Sequence, residues 1–295
     1  MSLSGAGPPD LGLTMDLGPG GPRLVRERED RRLALRSLAI AAVASVVFFA
    51  VLGWIIVNAP GWAAFQAAFL DADLFWASLP RLVGAFWTNV RLFLIAEVLI
   101  LLFGLLLAVT RNLPGPVLFP VRILATVYVD IFRAVPGVLV IFMLGFGMPA
   151  LGIAGMPVDQ FFWAIVTLTL VYSAYVSEVY RAGIDSVHPS QEAAARSLGL
   201  SRAQTLRYVI LPQAVRRVIP PLLNDVIGLQ KDTVLVSFIG VVEIFRTAQI
   251  INSATYNFTP YVAVALVFIV VTIPLARFTD WLVARDRRRA AAGAR

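Results

Sequence analysis

The residues able to do chemistry in this sequence are charged groups set in apolar runs. Glu97, Asp130, Arg133, Glu178, Arg181, Lys231, Asp232, Glu243 and Arg246 all lie within or beside stretches rich in Leu, Ile, Val, Phe and Ala. An ionisable group at membrane depth is expensive, which makes each a candidate for a ligand pathway, a gate or a buried ion pair. Asp130/Arg133, Glu178/Arg181 and Glu243/Arg246 are each spaced i, i+3, so each pair shares a helical face and is expected to neutralise itself. Carboxylates at Asp130, Glu178 and Asp232 suit an ammonium group, while Arg133 and Lys231 suit a carboxylate. Both ends of a zwitterion can therefore be met. Other chemistry is excluded. There is no cysteine, hence no disulfide, thiolate metal site or cysteine nucleophile, and one histidine, His188, makes a histidine metal site implausible. No G-x-x-x-x-G-K-[ST] phosphate loop is present, so ATP hydrolysis is not expected of this chain.

The elements that hold these residues follow from composition. Of 295 residues, 59% are apolar and 15% charged, against roughly 25% charged in an ordinary soluble domain. So much apolar surface implies an all-α integral membrane protein. Spans of about 20 residues fit at 37–57, 86–110, 121–147, 160–181, 218–241 and 258–280. Residues 1–22 are rich in Gly and Pro, and with the arginines of 23–36 they read as a disordered basic tail over 1–36. Span 37–57 reads as an extra first helix, 58–85 as an interfacial segment on the outer face, 86–283 as the core, and 284–295 as a second basic tail. Arginine clusters at 23–36, around 182–217 and at 285–295 all fall on one side of a six-span topology. The positive-inside rule makes that side cytoplasmic, with both termini inside. If the fifth span begins at Pro220–Pro221, Lys231 lies about 11 residues in, roughly 16 Å along the helix and near the middle of the bilayer core. With Asn224, Asp225, Gly228, Gln230 and Asp232 it forms a polar stripe expected to line a pathway. Glu97 is either its partner or a link between two helices.

The stretch from Asp185 to Ala214 carries the most specific pattern. An alanine-rich helix ends at Gly199, a natural C-terminal glycine. Ser201 can cap a second helix, expected to break at Pro212. The spacing resembles the EAA loop of binding-protein-dependent ABC importer permeases. Ala194 and Ala195 fall on its two alanines, and Gly199, Val209, Leu211 and Pro212 on its Gly, Ile, Leu and Pro. The acidic position falls on Ala193, with Glu192 one residue early, about 100° around the helix. Tyr128–Pro136, Ser173–Ile184 and Leu229–Leu235 resemble further segments of the polar amino-acid uptake subfamily. The resemblance covers about residues 80–283.

That resemblance implies a type I ABC importer transmembrane fold, with a coupling loop at 185–215 whose 190–205 segment docks on a cytoplasmic ATPase. The coupling residues would be Glu192, Ala193, Ala194, Ala195, Gly199, Arg202, Leu211 and Pro212. The pathway residues would be Asp130, Arg133, Glu178, Arg181, Asn224, Gln230, Lys231 and Asp232. The implied partners are two ATPase subunits that carry ATP and Mg, a second permease subunit, an extracytoplasmic substrate-binding protein, an amino-acid substrate and the lipid of a bacterial plasma (inner) membrane. No nucleic acid, and no metal or cofactor in this chain, is expected. An ion-coupled secondary transporter using intramembrane carboxylates is the alternative. The topology is checked by impermeant thiol labelling of Ala63→Cys and Ala290→Cys. The two should label from opposite faces, and labelling from one face would refute the six-span arrangement.

Overall fold

In a computed structural model of the chain, residues 21–113 and 115–292 are described. All the secondary structure among them is helical. The chain divides into two units at Ala64–Phe65. The first contains α1 (Gly21–Val57). Residues 21–36, expected to be part of a disordered tail, are therefore helical. Their Arg, Glu, Leu and Ala are strong helix formers that extend the apolar span behind them. The rest of that expected tail, residues 1–20, lies outside the described residues, as does Arg295.

The second unit contains α3 (Ala72–Arg111), the bent pair α4 (Phe119–Ala134) and α5 (Gly137–Ala150), then α6 (Gln160–Asp185). After α6 come the short α7 (Pro189–Ser197) and α8 (Arg202–Thr205), a π-helical turn over Leu206–Ile210, and α9 (Leu211–Asp232). A 3₁₀ segment over Thr233–Ile239, α10 (Ile244–Thr255) and α11 (Thr259–Ala292) complete it. Among the described residues four helices are long and apolar enough to cross a membrane, or six segments if each bent pair is one span.

Three boundaries differ from expectation. The outer segment 58–85 is not one interfacial helix: α2 (Trp62–Phe69) is short, and residue 72 onward belongs to the long α3. Asp71 caps α3 by accepting from Leu74 N at 3.0 Å. The 121–147 span is broken, with α4 and α5 meeting at 106°. Val135 is extended there (φ −86°, ψ 129°) because it precedes Pro136, which disfavours helix before it and has no N–H to give. The fifth span starts at Leu211, so Pro220 and Pro221 sit inside a helix rather than in its first turn. The expected break at Pro212 is absent too. The π turn just before it widens the spiral, and Leu211 N–H bonds Leu206 O.

Helix α6 is central, packed by α3, α4, α5 and α9, and its contact with α3 is the most extensive. Lipid gives little hydrophobic drive for helix pairing, so close packing of small residues has to supply it. The buried stripe Leu92, Ala96, Ile100, Gly104 of α3 meets Ala164, Leu168 and Val176 of α6. At the far end, the α2–α3 joint is clasped to the α10–α11 joint. Phe258 N–H donates to Ala68 O at 2.7 Å, Asp71 N–H to Thr259 Oγ1 at 3.1 Å, and the Phe69 and Phe258 rings stack at 5.0 Å.

The span that leaves the membrane through the 3₁₀ segment is pinned by a polar node. Glu243 is wholly buried and accepts from Phe245 N at 2.9 Å, Arg246 N at 2.7 Å and Asn89 Nδ2 at 2.9 Å. Asn89 also donates to Thr233 Oγ1 at 3.0 Å and accepts from Ile244 N at 3.2 Å. The expected Glu243–Arg246 ion pair is absent: the carboxylate caps α10 through its backbone, and the Arg246 guanidinium turns to Gln249 Oε1 at 3.0 Å.

The α3–α6 crossing makes a signed prediction. A Cβ on Gly104 would lie 2.7 Å from Val176 Cγ1 and 3.3 Å from Ser173 O. Ala improves helix propensity by about 1 kcal/mol, but overpacking costs about 1–3 kcal/mol. Gly104→Ala should lower the thermal stability of detergent-purified protein, and Val176→Ala added to it should restore part of the loss.

Candidate functional site

Three α-helices converge on one carboxylate at the arginine-rich end. Glu178 of α6 binds Arg111 from the end of α3, Arg181 of its own helix at 3.4 Å, and Arg133 of α4 at 3.9 Å. The Arg111 side chain is only 9% exposed, so its charge depends on Glu178 for compensation. The expected Glu178–Arg181 pair forms, as one edge of a larger cluster. The expected Asp130–Arg133 pair does not: Asp130 is exposed and makes no ion pair among the described residues, because Arg133 turns toward Glu178. Three guanidiniums on one carboxylate leave a surplus of positive charge at this end of the bundle.

The polar stripe of α9 is split among its neighbours. Asp232 accepts from Tyr172 of α6 at 2.7 Å. Tyr172 lies 6.4 Å from Tyr175, centroid to centroid, and Tyr175 donates to Arg133 O at 3.5 Å. This sets Tyr172, Tyr175, Arg133 and Asp232 along one face. Lys231 is exposed and forms no ion pair among the described residues. It sits in the last turn of α9, not midway along a helix begun at Pro220. Gln230 departs from expectation: it is 6% exposed and turned toward α11, where it accepts from Thr272 Oγ1 at 3.0 Å. One residue is 100° of helix, so Gln230 and Lys231 cannot share a face. Asn224 lies exposed in a recess against the end of α11, beside Thr279 and Asp280. Glu97 forms no ion pair with Lys231.

The 185–215 loop is a helical hairpin with most of its surface open. His188 caps α7, its Nδ1 accepting from Ser190 N at 3.2 Å. Glu192, Ala193 and Ala194 are exposed, while Ala195 is 4% exposed and faces inward. The end of α7 is a Schellman closure: Gly199 takes φ +84°, its N–H donates to Arg196 O at 3.0 Å, and Leu200 N–H donates to Ala195 O at 3.2 Å. Ser201 and Gln204 form a reciprocal capping box on α8. Arg202, Leu211 and Pro212 are exposed, as are Leu198 (84%) and Tyr208 (63%). Large apolar side chains on a polar hairpin suit a protein contact.

Residues 100–288 match the family described as binding-protein-dependent transport system inner membrane component. The chain belongs to that family. The glutamate transport system permease protein GluC of Corynebacterium glutamicum is 36% identical over 212 residues, covering 68% of this chain and 92% of its own. The arginine transport system permease protein ArtQ of Bacillus subtilis is 30% identical over 207 residues, covering 70% and 92%. The crystal structure of an amino acid ABC transporter with histidines matches with a TM-score of 0.68 at 31% identity, over 73% of this chain and 98% of that one. An inward-facing MetNI methionine ABC transporter matches with a TM-score of 0.59 at 18% identity, a likeness of fold. The chain thus has the type I fold, with several helices long and apolar enough to cross a membrane.

Two positioning residues, Arg111 and Asn89, carry no motif in the sequence. Their signals are a cation at the end of a span, which faces whatever anion ends the next span, and an amide inside an apolar run. For the arginine cluster, Glu178→Gln should destabilise the purified protein by about 3 kcal/mol, since it strands the buried Arg111 charge. Asp130→Asn should leave the unfolding temperature unchanged. Equal effects of the two would mean that Asp130, not Glu178, takes Arg133.

Proposed function

We propose that this inner membrane component is the permease subunit of an ABC importer for polar amino acids in a bacterial plasma (inner) membrane. The observation that carries the proposal is the exposed α7–α8 hairpin closed by Gly199 at φ +84°. The family, the amino-acid systems served by the named relatives and the subfamily segments around Tyr128, Ser173 and Leu229 support the substrate class. In this reading the arginine-rich end is cytoplasmic, both termini with it, and α7 seats in a groove of an ATPase subunit that holds ATP and Mg. A binding protein delivers substrate at the opposite end. The face bearing Tyr172, Tyr175, Arg133 and Asp232, with Lys231 exposed beside it, holds charge and hydroxyls that lipid cannot meet. A second permease subunit closes it into a passage, in which the carboxylate and cations receive the two ends of a zwitterion.

Nothing in the comparisons favours the ion-coupled alternative. Of the carboxylates Glu97, Asp130, Glu178 and Asp232 that such a transporter would use as relays, two are already engaged, Glu178 by three arginines and Asp232 by Tyr172.

Gly199→Val tests the reading. A β-branched residue at positive φ costs about 1–2 kcal/mol and disrupts the Schellman closure. The variant should insert in the membrane normally, while substrate-stimulated ATP hydrolysis by the reconstituted complex falls by about tenfold, equivalent to that strain. Stimulation equal to wild type would make the hairpin an ordinary linker. Failure of any ATPase to co-purify with the tagged wild-type chain would remove the importer assignment itself.

A further inference from the structure

At the end proposed to be outermost, α3, the start of α6 and the Gly240–Val242 turn line an open recess of about 410 Å³, with Arg91 and Asp159 both exposed. That volume is within the roughly 300–1,000 Å³ of small-ligand sites. Opposite charges line it, Arg91 from α3 and Asp159 at the cap of α6, and they do not pair with each other. The Arg91 guanidinium lies 5.8 Å over the Phe161 ring, which steadies it from one face and leaves its N–H edges without a protein acceptor among the described residues. Asp159 uses Oδ2 on Phe162 N–H at 3.0 Å, and its Oδ1 has no partner among the described residues. Thr88 adds a hydroxyl to the same wall. None of these groups takes part in the Glu178 cluster, the α9 face or the Glu243 node.

Two opposite charges that share a recess without touching leave a gap for a ligand carrying both signs. A free α-amino acid bears its carboxylate and ammonium on one carbon, so it can turn the first to a planar guanidinium and the second to a carboxylate. We infer that this recess is a receiving site for a free zwitterionic α-amino acid, with Arg91 holding the α-carboxylate, Asp159 the α-ammonium and Thr88 at its wall. The side chain of the ligand then points away from both charges, so the site reads the amino-acid backbone rather than its identity. Selection among amino acids belongs to the binding protein and the inner passage. The inference rests on the amino-acid reading above.

The sequence has no cysteine, so Thr88→Cys provides a single thiol in this chain that reports occupancy of the recess. The assay uses right-side-out vesicles carrying the whole importer, an impermeant maleimide, and L-glutamine, L-glutamate or L-arginine as probe. Each amino acid that the vesicles take up should slow alkylation of Thr88→Cys. Adding Arg91→Gln should raise the concentration for half-protection by about tenfold or more, the loss of a charge-assisted pair. It should not change protection by the decarboxylated amine of the same amino acid. Asp159→Asn should show the converse pattern, leaving protection by the deaminated acid unchanged. Arg91→Lys, which keeps the charge, should retain most of the protection, separating the role of charge from misfolding. Vesicles that transport the amino acid but show no protection, a thiol that the maleimide never reaches, or Arg91→Gln acting equally on all analogues would each overturn the receiving site and leave the proposed function standing. Protection by the binding protein but not by free amino acid would overturn it in favour of a protein contact. Vesicles of the wild-type importer that take up no amino acid would overturn the proposed function itself.

Discussion

The wholly buried carboxylate of Glu243 is what allows the fifth membrane segment to break. Breaking a helix inside hydrocarbon frees N–H and C=O groups that only the protein can satisfy. Glu243 takes up two of the freed N–H groups at the start of α10, and Asn89 ties the carboxylate to α3 and to the 3₁₀ segment. Three hydrogen bonds, two from the backbone of α10 and one from Asn89, therefore anchor Glu243 at the break. The turn at Gly240–Val242 follows from this anchor, and so does the recess beside Arg91.

At the opposite end the same constraint is met with inverted signs. Arg111, Arg133 and Arg181 end three helices at similar depth, and without Glu178 their mutual repulsion would spread α3, α4 and α6 apart. The cluster therefore acts as a strap across the base of the bundle. The exposed hairpin follows directly after α6, and the Arg217 guanidinium of α9 bonds back to Ser186 O at the end of α6. A push on α7 thus acts on α6 and α9, the two helices that carry Tyr172 and Asp232. The π turn at Leu206–Ile210 lies between α8 and α9.

The class of structure and the hairpin are legible in the residues alone. Apolar runs of spanning length and clustered arginines are local in the chain, and so are the signals that close the hairpin: Gly199 after an alanine-rich helix, and Ser201 as the cap of the next. The chain's own backbone satisfies the caps of the hairpin, and Gly199 and Ser201 close α7 and open α8 where expected. Tertiary structure decided everything that depends on which helix lies beside which. Spacing of three residues correctly joined Glu178 to Arg181, but it also joined Asp130 to Arg133 and Glu243 to Arg246. In the fold those arginines find other acceptors, and Glu243 finds backbone N–H groups and Asn89. The stripe on α9 was legible as polar residues, yet its division depended on α6 lying on one side and α11 on the other. The physical reason is the range of the interactions. Helix caps and turns are closed within a few residues of sequence, whereas a charge in a low-dielectric interior is drawn to the nearest complement in space, which the order of residues does not reveal.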